Sequence, residues 1–180
     1  DENYMFTVTQ GVTNQSGAKV SLFSYAYVAR KGEVPVSSTY LLHEGPVGVF
    51  NGKLEDGYKY SSLDPGKPVT FASTGGWLGF TDKYWLTALI PDQKEPVSAN
   101  FQHFLQGHTD VYQADYRGSE HGLAPGSSFT TTDRFFAGAK ELTLLQNYED
   151  RLGIPLFDRA IDFGWFWFLT KPIFLTLDFF

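Results

Sequence analysis

The sequence predicts an all-β fold, a sandwich of antiparallel strands finished by C-terminal helical segments. Three observations carry that expectation. Aromatic residues make up 17 % of the chain, with 17 Phe and 10 Tyr, and such side chains suit pleated, half-buried surfaces. The 18 Gly and 9 Pro supply the turns that many strands need. Runs in which apolar and polar residues alternate recur as far as Gly138, each bounded by Gly, Pro, Asn or Asp.

The first such run is YMFTVTQ at 4–10, followed by the turn-forming TNQSG and a second alternating run over 19–31. Together they read as a hairpin or meander. Further β-like runs are GPVGVFNGKL (45–54), YKYSSL (58–63), PVTFAS (68–73) and WLGFTDKYWLTALIP (77–91). NFQHFLQ (100–106), DVYQADYRG (110–118) and SSFTTTDRFFAGA (127–139) complete the set. Short strands at this spacing point to a sandwich rather than to alternating βαβ units.

The pattern changes after Gly138. Over 140–153 strong helix formers dominate, and Leu142, Leu145, Tyr148 and Leu152 share one face at helical spacing. Gly153 and Pro155 supply the stop, since Gly accepts the left-handed conformation and Pro discourages continuation.

In the last stretch, 157–180, about two thirds of the final residues are apolar, but Asp162, Lys171, Pro172 and Asp178 interrupt them and disfavour a membrane span. Thr170 can cap a helix whose first turn holds Pro172, and Ile173, Phe174, Leu177 and Phe180 then share one side. Such a helix suits a lipid headgroup layer. Trp165, Phe166, Trp167 and Phe168 supply half-wet aromatic rings just before it, and Lys171 can snorkel toward headgroups. The predicted membrane-interface residues are therefore Trp165, Phe166, Trp167, Phe168, Lys171, Pro172, Phe174 and Leu177. The corresponding division is a sandwich over 1–155 and a membrane-proximal segment over 156–180.

A net charge of −6 makes the phosphate-neutralising term of nucleic-acid binding repulsive overall. The absence of Cys removes disulfides, thiolate zinc sites and Cys nucleophiles, but leaves the compartment open. The opening DENYMFTVTQ has no initiator Met and no leader pattern, so the chain reads as a piece of a longer polypeptide.

No motif predicts a catalytic residue, a cofactor or a metal. His103, His108 and Asp110 are the tightest group, but their spacing matches no established ligand pattern. His43 and Glu44 are neighbours, which point to opposite faces of a strand and rarely converge on one substrate. GGWLG at 75–79 lacks the Lys-Ser/Thr of a phosphate loop and reads as a turn or bulge where another backbone comes close. Asn14-Gln15-Ser16 fits a glycosylation triplet and reads as a surface turn.

FFAGAKELTLLQNYEDRLG (135–153) running into FDRAIDFGWFWFLTKPIF (157–174) resembles the junction in YidC-type bacterial membrane-protein insertases where the large periplasmic domain meets the membrane core. GPVGVFNGKLEDGYKYSSL (45–63), STGGWLGFTDKYWLTALIPDQ (73–93) and the opening DENYMFTVTQGVTNQSG agree with that resemblance. It implies a periplasmic β-supersandwich at the bacterial inner membrane, tethered by transmembrane helices before and after it. It also implies help with insertion and folding of inner-membrane proteins, alone or with the Sec translocon. The implied partners are nascent inner-membrane proteins, Sec components and the lipid surface, the last through the C-terminal segment. The insertion chemistry itself is implied to lie beyond Phe180. Members of the family carry more sandwich sequence ahead of the stretch matched by Asp1, so an unpaired sheet edge is expected near the N-terminal strands. The competing reading is a carbohydrate-binding or aldose-epimerase-like sandwich, to which the supersandwich is similar.

Overall fold

A computed structural model of the protein describes residues 2–32 and 43–162. These form β1 (Met5–Thr13), β2 (Val20–Lys31), β3 (Gly45–Phe50), β4 (Lys53–Glu55), β5 (Val69–Thr74), β6 (Trp77–Thr81) and β7 (Trp85–Ile90). They continue with β8 (Pro96–Gln106), β9 (Thr109–Leu123), β10 (Ser128–Ala139) and the helix α1 (Leu142–Leu152), then a 3-10 turn at Phe157–Ala160.

The strands form two antiparallel sheets, one in the order β1-β10-β7-β6-β3-β4 and the other β2-β9-β8-β5. They pack as a sandwich, as the alternating runs predict. Between the sheets lies a layer built from Phe50, Leu78, Phe80 and Leu89 on one side and Val97, Ala99, Phe101, Ala114 and Tyr116 on the other. Phe50 stacks on Phe71 at 4.2 Å, and both meet Phe101 edge-on. The outer face of the six-stranded sheet carries a second core, where Val47, Val49, Trp77, Leu86, Ile90 and Phe136 meet Leu145, Ile154 and Phe157. Three layers result, with helix on one sheet and a second sheet beneath it.

α1 forms as its apolar stripe predicts, burying Leu142 and Leu145, with Tyr148 and Leu152 packed alongside. Gly153 takes the left-handed conformation at φ 65° and ends it. Packing continues past the helix, because Phe157 meets Trp77 edge-on at 5.3 Å and Phe136 at 5.6 Å.

The runs at 45–54 and 77–91 each fold as a hairpin, β3–β4 and β6–β7. One run departs from its expectation. YKYSSL is not a strand but contains a 3-10 turn at Tyr60–Ser62, because Ser62 bonds back locally: its Oγ accepts from the Lys59 N–H and donates to the Lys59 carbonyl. Tyr60 and Leu63 are thereby turned into the intersheet core.

β1 and β2 each have one partner among the described residues, β10 and β9 respectively. Among the described residues both N-terminal strands are thus sheet edges, as expected. They differ in protection. β2 carries a bulge between Phe23 and Tyr25 and ends in Arg30 and Lys31, whereas β1, MFTVTQGVT, is nine residues long without charge, Pro or bulge.

Candidate functional site

The predicted membrane-interface residues, Trp165 to Phe168, Lys171, Pro172, Phe174 and Leu177, lie outside the described residues. What is described is the end of the sandwich from which that segment departs. There, strand ends from both sheets meet in a polar cluster. Arg30 at the end of β2 places Nη1 2.6 Å from Asp82 Oδ1 in the β6–β7 turn. The same guanidinium reaches the Tyr60 hydroxyl at 3.4 Å and lies 5.4 Å from its ring centroid. Burial pushes the Tyr60 hydroxyl up to about 12, against the pull of Arg30.

Lys140, between β10 and α1, donates from Nζ to Thr81 Oγ1 at 2.9 Å. Its ammonium is held below the ordinary lysine range by burial, opposed by the charges of Asp162, Asp82 and Glu44. Thr81 Oγ1 also lies 3.5 Å from the Ala160 carbonyl, and the His43 N–H donates to Asp162 Oδ2 at 2.9 Å. The last turn of the described chain is therefore pinned to β6 and to the approach to β3, and the Asp158 N–H ties it to Glu149 within α1.

The other sequence motifs fall into structural roles. His103 is buried, with Nδ1 2.9 Å from the Leu63 carbonyl, Nε2 2.7 Å from Asp110 and its ring stacked on Tyr112 at 4.5 Å. It ties the 3-10 turn at Tyr60–Ser62 to the β8–β9 hairpin. His108 sits apart in the exposed turn of that hairpin. Among the described residues no three His, Asp or Glu side chains gather around one ion-sized site. His43 places Nε2 3.0 Å from the Pro46 carbonyl rather than against Glu44.

In GGWLG, a Cβ on Gly76 would lie 2.0 Å from the Val49 carbonyl oxygen and one on Gly79 1.8 Å from that of Thr87. Close backbone approach is what the glycines are for. Asn14 does sit in a turn, but its side chain is only 5 % exposed: Nδ2 donates to the Ala18 and Leu123 carbonyls, while Oδ1 accepts from Ser16. The amide is occupied in shaping the passage from β1 to β2.

Sequence reasoning missed two clusters. The Arg30–Asp82–Lys140 end cluster joins residues up to 110 positions apart, and no local spacing announces it. The other lies on the outer face of the four-stranded sheet, where Asp115 is 3 % exposed and accepts from the side-chain amides of Asn100, Gln102 and Gln113. Three amides converging on one carboxylate offset the cost of covering it. The period-2 polar pattern of β8 and β9 is its only trace in the sequence.

The model of a family described as the YidC periplasmic domain matches residues 1–176. The membrane protein insertase YidC of Sinorhizobium fredii is 44 % identical over 181 residues, covering all of this chain and 30 % of that protein. That of Rhizobium etli is 45 % identical over 182 residues, again 100 % of this chain and 30 % of the relative. The Rickettsia canadensis protein of the same name is 43 % identical over 181 residues, with 32 % of its length covered. The chain thus spans about 30 % of the length of the curated relatives it matches.

Proposed function

This chain belongs to the YidC periplasmic domain family, and from that premise we propose that it serves as the periplasmic module of a longer membrane protein insertase. The observation that supports this most strongly is the match over residues 1–176, at 41–45 % identity to relatives that all bear the insertase name. The module assists insertion and folding of inner-membrane proteins, alone or with the Sec translocon. It faces the periplasm from the bacterial inner membrane, and nascent membrane proteins and Sec components are its partners. It performs no bond chemistry of its own. No helix among the described residues is long and apolar enough to cross a membrane.

The membrane-proximal segment within 156–180 couples this module to the lipid surface through Trp165, Phe166, Trp167, Phe168, Lys171, Pro172, Phe174 and Leu177. The polar cluster around Lys140 and Asp162 supports that reading, because it ties Asp162, the last described residue, to the end of the sandwich. Burial of Phe174 and Leu177 in the interface contributes on the order of 1.5–3 kcal/mol each if complete.

The test is vesicle flotation of this chain and of a Phe174→Ser, Leu177→Ser variant, with circular dichroism on both. Flotation lost with β structure intact is the expected result. Equal flotation, or loss of β structure, would assign the segment to the core instead. Client contact is tested separately in the longer insertase: single Cys substitutions at Tyr27 and Leu105, in this otherwise Cys-free domain, should crosslink to a nascent inner-membrane protein. A complete lack of adducts would reduce the domain to a spacer. Sugar mutarotation lost on changing His43 would overturn the non-enzymatic assignment.

A further inference from the structure

We propose that the β6–β7 turn is a second lipid-contacting element, inserting Tyr84 and Trp85 into the same headgroup layer that residues 165–177 engage; this rests on the membrane-facing reading of that segment. Among the described residues Tyr84 is 63 % and Trp85 58 % exposed, so the turn presents two adjacent large aromatic rings to solvent. The next residue, Leu86, fills the helix-side core, while the Trp85 ring stays outside it. Amphipathic rings of this kind are most favourable at a membrane–water boundary, where the body is buried and the polar atom stays wet.

Position and charge point to the same partner. The turn is held rigidly: the Asp82 N–H donates to the Trp85 carbonyl at 2.9 Å, and the Tyr84 carbonyl accepts from the Lys140 N–H at 2.9 Å. Thr81, one residue before the turn, meets both Lys140 and Ala160, so the turn that carries the aromatic pair sits close to the last described stretch, Ala160 to Asp162. Asp82 is neutralised by Arg30, which leaves Lys83 to set the charge of the turn. Its ammonium lies 5.0 Å from the Tyr84 ring centroid and can reach lipid phosphates as the rings go deeper. A phosphatidylglycerol-containing surface fits this combination of one cation and two interfacial rings.

Tyr25 and Tyr27, on the outer face of the other sheet, are the contrast. They are 47 % and 58 % exposed, but Tyr25 accepts from Gln113 beside the Asp115 amide network. Exposure alone does not make a lipid contact.

The chain has no Cys, so one nitroxide can be placed at Tyr84→Cys and, in a second protein, at Tyr27→Cys. Each is bound to vesicles of phosphatidylethanolamine and phosphatidylglycerol, and accessibility to oxygen and to a water-soluble nickel complex is measured. The label at position 84 should move into the headgroup layer, and the label at 27 should stay aqueous. Independently, Trp85 in a Trp165→Phe, Trp167→Phe background should be quenched by lipids brominated near the headgroup, with Trp77 silent because it is buried. Tyr84→Ser with Trp85→Ser should weaken flotation about tenfold, the effect of losing roughly one half-buried aromatic contact, without altering circular dichroism. Flotation with an aqueous label at 84 and an unquenched Trp85 would overturn this inference and leave the C-terminal segment as the sole contact. No vesicle association at all would overturn both readings.

Discussion

The two sheets are both antiparallel throughout, yet their sequences obey different rules. Every residue of β3 and β6 is buried, whereas β2 and β5 alternate between half-buried and exposed positions. The difference is what covers the second face. The six-stranded sheet has the intersheet layer on one side and α1 with the 3-10 turn at Phe157–Ala160 on the other. The four-stranded sheet has solvent on its outer face, so polar side chains there are free to build networks of their own. A strand's pattern therefore reports the number of its covered faces more than its place in the chain.

The sharpest way to break that comparison is at glycine. A Cβ on Gly79 would lie 1.8 Å from the Thr87 carbonyl oxygen and 2.9 Å from the Ala88 Cα, and neither backbone can withdraw without opening the β6–β7 pairing. Gly79→Ala should cost about 3 kcal/mol or more and leave little folded protein. On the other sheet, a Cβ on Gly118 would meet Ser24 Oγ at 2.2 Å and Glu95 Oε1 at 3.2 Å, both of them side-chain ends that can rotate. Gly118→Ala should cost about 1 kcal/mol. Urea midpoints of the two variants check the ranking. Equal losses would mean that the doubly covered sheet is no tighter than the other.

A second contrast sets large aromatic side chains against each other. Trp77 packs edge-on against Phe157 and donates from Nε1 to the Pro155 carbonyl at 2.9 Å, so it clamps the post-helical turn onto β6. Trp77→Ala should cost about 3–5 kcal/mol. Tyr27, on the wet face, contacts Tyr25 with ring centroids 6.1 Å apart, and Tyr27→Ala should stay within about 0.5 kcal/mol. A comparable loss at Tyr27 would show that the outer face of the four-stranded sheet is covered by something.

These contrasts also show what could be read in advance. The strands at Val20–Lys31 and Ser128–Ala139 announced themselves by period-2 alternation, and α1 by Leu142, Leu145, Tyr148 and Leu152 on one face with Gly153 behind them. Local chemistry suffices for such elements. GGWLG was legible as a close approach, because glycine in a strand has few other reasons to be there. YKYSSL was not legible, since two aromatics at alternating positions imitate a strand while Ser62 closes a turn on Lys59. The tie between Lys140, Thr81 and the residues leading to Asp162 was invisible for another reason: it depends on which strand ends share one end of the sandwich. Exposure of Tyr84 and Trp85 was hidden in the same way, because within WLGFTDKYWLTALIP they look like core.

The finest contrast lies between the two cores. The helix-side layer has a buried carboxyl in its 3-10 turn, where Asp158 lies beside Glu149, while the intersheet layer admits Asp133 from a strand, β10, facing Tyr116 from β9. Asp133 Oδ1 accepts from the Asp92 N–H at 3.3 Å, but neither Oδ2 nor the Tyr116 hydroxyl has a hydrogen-bond partner among the described residues. Burial raises the Asp133 carboxyl above its ordinary 3.8, an effect that the neighbouring Tyr116 hydroxyl only partly opposes. Burial likewise drives the Tyr116 hydroxyl well above the usual tyrosine range, with the Asp133 charge adding to it. Because the folded state holds the Asp133 proton more tightly than the unfolded chain does, the group's contribution to stability is fully present below pH 3.8. It is lost as pH rises through that value toward the raised folded one. Above pH 3.8 the raised carboxyl weighs against the fold, a cost that a neutral amide in its place does not carry. Asp133→Asn keeps the shape and supplies an N–H that can meet the Tyr116 hydroxyl. Its urea midpoint should gain on that of the unsubstituted chain as pH rises above 3.8, where the raised carboxyl begins to weigh against the fold. The shift should be smaller than those at Gly79 or Trp77, with the dependence on denaturant unchanged. Parallel midpoints across that range would mean that the carboxylate is solvated in the folded state, and that the intersheet layer is more open at the β1 edge than its burial indicates.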